Sequence, residues 1–290
     1  MRSLLFIPGD SPRKLEKGIG SGADALLLDL EDSISPEKKA EARAITVAFL
    51  KEAHTVKNRP RLYVRINGFA TGLTDADLDA IVAGRPEGIM FPKAEGGAAV
   101  THCDAKITAR EAIHGLPDGA IDIIAIATET AQAIFLAGTY GGSSKRLKGL
   151  TWGAEDLSVE LGAEANRDND GNFLDPYRLA RSLCLAGAAA AQVQAIDTVY
   201  IDFRNEAGFR RECEDARRDG FTGKMLIHPA QVVVCNEVFT PTAEAIKKAE
   251  VVVAAFAANP GAGTVGIGGV MFDRPHLERA RQLLARSKAV

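Results

Sequence analysis

The chain has 290 residues, 46% hydrophobic and 25% charged, and 35 basic against 38 acidic side chains leave a net charge of −3. That composition excludes general disorder, and it lacks the basic footprint that nucleic-acid binding requires. No stretch approaches the roughly 20 apolar residues of a membrane helix, and the first apolar run ends at Pro8-Gly9, too short for a secretory signal. A cytoplasmic protein is therefore expected, with Cys103, Cys184, Cys213 and Cys235 as buried reduced thiols, since their spacing matches no zinc pattern.

The first strand, 3–7, runs into Pro8-Gly9. The second, 25–30, ends in Asp29-Leu30-Glu31-Asp32, and Ser35-Pro36 then opens a helix with a cap and an N1 proline. A third, 61–66, ends in Arg65-Ile66-Asn67, and Thr74-x-x-Asp77 follows as a capping-box variant. Strands 88–91, 122–127 and 148–152 end respectively in Pro92-Lys93, Thr128-Glu129-Thr130 and Gly153-Ala154-Glu155-Asp156. The next connection is long and carries the polar loop 166–172, then a helix that Asp175-Pro176 opens towards Val193. Strands 195–201 and 224–227 complete the series, the last ending in His228-Pro229. Thr240-Pro241 opens a further helix that stops near Asn259-Pro260, glycine-rich 261–269 reads as a flexible hinge, and Arg274-Pro275 opens the terminal helical segment.

Several of these strands are continuously apolar, as parallel strands covered on both faces are. Eight strands alternating with helices predict an α/β fold, a (β/α)8 TIM barrel over 1–258, with 259–290 as hinge and helical lid. An open doubly wound sheet is the alternative. Two motif matches carry little. Gly261-x-Gly263-x-x-Gly266 follows a proline rather than a strand, so it does not read as a dinucleotide fingerprint. Asn166-x-Asp168-x-Asp170-Gly171 resembles a calcium loop, but its twelfth position is Tyr177 rather than a glutamate. It reads as a solvated loop.

In a (β/α)8 enzyme the chemistry sits at the C-terminal ends of the strands. Glu129 and Asp156 end adjacent strands, and two carboxylates converging on one mouth need positive charge. Magnesium or manganese is one solution, and helix N-capping is the other reading of Asp156. Lys93 suits a charge-balancing role better than a Schiff base.

Residues 2–10, Arg-Ser-Leu-Leu-Phe-Ile-Pro-Gly-Asp, and 23–33, Ala-Asp-Ala-Leu-Leu-Leu-Asp-Leu-Glu-Asp-Ser, resemble the opening of the citrate lyase β-subunit-like family. This group includes malyl-CoA and citramalyl-CoA lyases, within the HpcH/HpaI aldolase superfamily. Val64-Arg-Ile-Asn-Gly68, Phe91-Pro-Lys93, Glu129-Thr-Ala131, Gly153-Ala-Glu-Asp-Leu157, Ile227-His-Pro229 and Phe272-Asp-Arg-Pro-His276 follow in that family's order. The resemblance implies a (β/α)8 barrel with Mg2+ on Glu129 and Asp156. It implies substrate contact by Arg65 and by the Glu155 backbone. Contact with the CoA moiety is implied for Phe6, Lys17, Ile227 and His228. It further implies that Asp273 reaches a neighbouring subunit's site as acid–base, so a homo-oligomer, trimer or hexamer, is expected. Ser11 stands where the family commonly has arginine, and Arg13 is the nearest cation.

The expected activity is reversible Claisen-type cleavage of a 3-hydroxy-acyl thioester, on CoA or a carrier protein, to a 2-oxo acid and an acyl thioester. Glu31 and Asp32 would orient the metal's water. Arg65 has a second reading as an ion-pair partner inside the barrel, and Asp273 as the N-cap of the last helix. Competing functions are a CoA-independent 4-hydroxy-2-oxo acid aldolase, a malyl-CoA thioesterase, and a non-catalytic subunit of a citrate lyase complex.

Overall fold

The computed structural model describes residues 1–288. Eight parallel strands close into a barrel in chain order: β1 (Ser3–Pro8), β2 (Ala25–Asp29), β3 (Arg61–Arg65), β4 (Gly88–Phe91), β5 (Asp122–Ile126), β6 (Leu147–Thr151), β7 (Gln194–Asp197) and β8 (Gly223–Leu226). Each lies where an apolar run was expected, and β1 pairs with β8 to complete the circle. The helices between strands are α1 (Pro12–Ile19), α2 (Lys39–Ala53), α3 (Thr74–Ile81), α4 (Gly96–Ile113), α5 (Ala131–Leu136), α6 (Ala154–Glu160), α7 (Asp175–Ala191) and α8 (Glu206–Asp219). They are followed by α9 (Gln231–Phe239), α10 (Ala243–Ala258) and α11 (Arg274–Ser287). No described helix is long and apolar enough to cross a membrane.

The barrel interior is packed rather than hollow. Leu4, Leu27, Tyr63, Met90, Ile124, Ile126, Ile196 and Met225 form its core. The alternate residues Leu5, Leu26, Leu28 and Ile123 are equally buried. Strands covered on both faces produce the unbroken apolar runs seen in the sequence. All four cysteines are free and buried.

The chain divides into two units, Met1–Asn236 and Glu237–Val290. The boundary falls earlier than 258/259, because α10 shares an apolar core with the C-terminal elements: Ala249, Val252 and Phe256 with Val265, Leu277 and Ala280. The expected hinge takes a more ordered form. Thr264–Ile267 (β9) and Val270–Asp273 (β10) pair as an antiparallel hairpin. Gly268 and Gly269 form its two-residue turn with φ of 57° and 81°, a backbone that glycine adopts without strain.

Two helix starts also differ from expectation. Thr74 and Asp77 form no capping box. Thr74 Oγ1 donates to the Asn67 carbonyl at 2.9 Å, and Asp77 Oδ2 accepts from the Asn67 backbone and side-chain amides, each at 2.7 Å. Both side chains are buried, so they satisfy the end of β3 instead of their own helix. Thr242, not Thr240, caps α10, accepting from Ala245 N–H.

Candidate active site

The C-terminal mouth of the barrel holds a cavity of about 430 Å3. Its lining includes Phe6, Arg65, Glu129, Glu155, Asp156 and Ile227, six of the residues singled out from sequence, with Ile126, Thr198, Val199 and Met225 adding a largely apolar floor. Strand ends place the charged groups. Asp29 and Arg65 are register partners at the ends of β2 and β3. The guanidinium grips Asp29 at both oxygens, Nε–Oδ1 and Nη2–Oδ2 each 2.7 Å. Its Nη1 reaches Asp32 at 3.0 Å and Glu31 Oε2 at 3.1 Å, and its Cζ lies over the Phe6 ring, 4.8 Å from the centroid. Arg65 is thus both cavity wall and ion-pair hub. Burial alone would raise the Asp29 carboxyl, but Arg65's charge and hydrogen bonds outweigh it and hold Asp29 below the ordinary carboxylate range.

Lys93, just after β4, is the second hub. Its Nζ donates to Glu31 Oε1 at 2.7 Å and pairs with Asp156 Oδ1 at 3.2 Å, while its backbone N–H donates to Glu129 Oε2 at 2.5 Å. The residue adopts φ +49°, a left-handed backbone that few non-glycine residues take and that concentrates at functional sites. Burial works against the ammonium, yet the Glu31 hydrogen bond and the surrounding carboxylates raise its pKa.

Glu129 is 3% exposed. Burial, then the charges of Glu31 and Asp156, push its carboxyl up to about 8, against the pull of Lys93. Burial also raises Glu31, whose Oε2 has no hydrogen-bond partner beyond its ion-pair contact with Arg65. Gly153 makes room for Glu129: a Cβ there would stand 2.8 Å from Glu129 Cγ. Asp156 lies in the first turn of α6 without capping it by a side-chain hydrogen bond.

These features fit a hard divalent cation. The available donors are carboxylate oxygens, Glu129 is costly to charge without a counter-ion, and a Glu31 oxygen beside the pair lacks a hydrogen bond. Among the described residues no group of three or more His, Cys, Asp or Glu forms a ready-made cage. An ion here would rest on Glu129 and Asp156, with water or substrate completing its shell.

The remaining expected residues lie elsewhere. Lys17 is exposed on α1 and does not line the cavity. His228 follows β8 and stacks on Phe203, ring centroids 4.3 Å apart. Asp273, in the second unit, caps α11, its carboxylate and the His276 side chain each meeting the other's backbone N–H. Its hydrogen bond with His276 lowers its pKa. Asp29 and Gly153 had no assigned role in the sequence. The Asp-x-Glu-Asp run at 29–32 was a usable signal for Asp29, but its partner depended on strand register. The polar loop 166–172 is tied to the mouth by Asn166 Nδ2 donating to Glu155 Oε1 at 2.8 Å, and Asp168 folds it by accepting from the backbone N–H of Asp170 and Asn172.

The chain is similar to several known proteins. The (3S)-malyl-CoA thioesterase of Cereibacter sphaeroides strain ATCC 17029 is 37% identical over 296 residues, covering 100% of this chain and 95% of that protein. The citrate lyase subunit beta of Leuconostoc mesenteroides subsp. cremoris is 33% identical, covering 99% and 93%. The crystal structure of CitE from Mycobacterium tuberculosis in complex with magnesium, acetoacetate and coenzyme A superposes with a TM-score of 0.79 at 31% identity, covering 99% of this chain and 100% of that one. Residues 2–229 match the family described as HpcH/HpaI aldolase/citrate lyase, and the chain belongs to that family.

Proposed function

We propose that this protein is a magnesium-dependent carbon–carbon lyase that cleaves a 3-hydroxy-acyl-CoA thioester to a 2-oxo acid and an acyl-CoA. The convergence of Glu129 and Asp156 beside Arg65 at the barrel mouth carries this reading. Magnesium held by the two carboxylates supplies Lewis-acid charge that polarises the substrate's hydroxyl oxygen. Arg65, a fixed planar cation locked by Asp29, stabilises negative charge developing on the substrate oxygen. Glu31 sits behind the pair and orients water there. Phe6 and Ile227 flank the thioester arm with apolar surface, the Glu155 backbone contacts substrate, and Lys17 and His228 face the carrier, CoA or a carrier protein. Asp273 of a second copy exchanges a proton with the acyl α-carbon, which makes the working form a homo-oligomer.

A second reading has specific support. The relatives named (3S)-malyl-CoA thioesterase reach 37% identity over the whole chain. The same mouth would then admit water to the thioester and release free CoA.

The test is purified protein with Mg2+ and malyl-, β-methylmalyl- and citramalyl-CoA, trapping the 2-oxo acid as a hydrazone and titrating free thiol in parallel. Release of 2-oxo acid from one ester, abolished by EDTA, is the expected result. Free CoA without acyl-CoA would replace the lyase with the thioesterase. No turnover with folded protein would refute both.

A further inference from the structure

Lys93 has no role in the chemistry set out above, yet it touches three carboxylates of the mouth, Glu129, Glu31 and Asp156. The backbone N–H holds Glu129, and the ammonium is shared between Glu31 at 2.7 Å and Asp156 at 3.2 Å. The two contacts differ in kind. The link to Glu31 meets hydrogen-bond geometry and Glu31 is buried; Asp156 is one-third exposed and its link is an ion pair only. The backbone N–H is fixed on Glu129, and the ammonium is held at the mouth by its contacts with Glu31 and Asp156.

A divalent ion on Asp156 meets this ammonium as a like charge competing for the same carboxylate. We propose that Lys93 is a positioning residue that competes with the divalent cation for Asp156, falls back on Glu31 when the cation binds, and so sets how tightly the mouth holds its ion. Lys93 thereby keeps Glu31 neutralised once the ion has taken Asp156. This rests on Glu129 and Asp156 being the ligands.

The probe is Mn2+, measured by titration calorimetry and by paramagnetic resonance of the free ion, with no substrate present. Removing one positive charge beside the ion should tighten binding by about tenfold in Lys93→Met. Lys93→Arg, which keeps the charge, should stay within about threefold of the parent protein on the same argument. Unchanged or weaker Mn2+ binding by Lys93→Met overturns the proposal, and so does equal tightening in both variants. A second measurement uses the unaltered protein and stands even if Lys93→Met fails to fold. Amine-reactive labelling of Lys93, read by peptide mass spectrometry, should fall on adding Mn2+ as the ammonium leaves one-third-exposed Asp156 for buried Glu31; unchanged or increased labelling overturns the proposal. If the unaltered protein binds no Mn2+, the ligand assignment itself fails. If it binds and the variants match it, only the role of Lys93 fails.

Discussion

Gly153→Ala isolates the placement of Glu129. Gly153 has φ −124° and ψ 119°, an extended backbone open to any residue, so alanine brings no backbone strain. What it brings is a Cβ 2.8 Å from Glu129 Cγ and 3.3 Å from Oε1, where 3.4–4 Å is ordinary contact. Glu129 is 3% exposed and cannot swing into solvent without losing its bond to Lys93 N–H. Overpacking of this kind costs about 1–3 kcal/mol of stability. Withdrawing one of two carboxylate ligands should cost at least about 1.4 kcal/mol in ion binding, a factor of about ten. Calorimetric unfolding and Mn2+ titration read the two effects separately. Glu129→Gln should reproduce the loss of binding without the steric cost. A folded Gly153→Ala protein with unaltered Mn2+ affinity would refute the argument that this glycine exists to seat Glu129.

Arg65→Lys keeps the charge but cannot span both Asp29 oxygens, and turnover should fall by about 10²-fold with little change in KM; parental kcat would leave Arg65 a structural ion pair. Asp77→Ala strands the Asn67 amides and Arg43 in a buried setting and should cost about 2–4 kcal/mol of unfolding free energy by urea titration; a loss below 1 kcal/mol would mean water replaces the carboxylate. Acid should destabilise the barrel in a defined window. Burial would raise Asp24 and Glu87, but Arg2 and Arg59 outweigh it and hold both low in the fold. Their stabilisation is full above the ordinary carboxylate range near pH ~4 and is lost as pH falls through the depressed folded values. Glu31 and Glu129 are shifted the other way, so their linkage to pH falls mainly above this window. Melting temperature should therefore fall steeply below about pH 4, and Arg59→Met should flatten that fall.

How far each feature could be read from sequence follows from the range of the interaction behind it. Strand positions were legible because a strand buried on both faces writes an unbroken apolar run, as Leu26–Leu28 does. Glu129 and Asp156 were legible because a closed parallel barrel collects its strand ends at one mouth. The β9–β10 hairpin was missed although Gly268-Gly269 between Ile267 and Val270 is a turn signal. The density of glycine around it hid the pairing. Thr74 and Asp77 were misread because the capping pattern is local, while the polar groups that claimed them belong to Asn67 at the end of another element.

Local chemistry thus specified the barrel and which side chains reach its mouth, since apolar period and strand-end position depend on near neighbours alone. Register and packing settled the rest. Asp29 meets Arg65 only because β2 and β3 align residue for residue. Lys93 bridges Glu31 and Asp156 only because the closed barrel brings the ends of β2, β4 and β6 to one mouth. Gly153 matters only because Glu129 lies across it. Those contacts join residues tens of positions apart, and their geometry exists only once the barrel has closed.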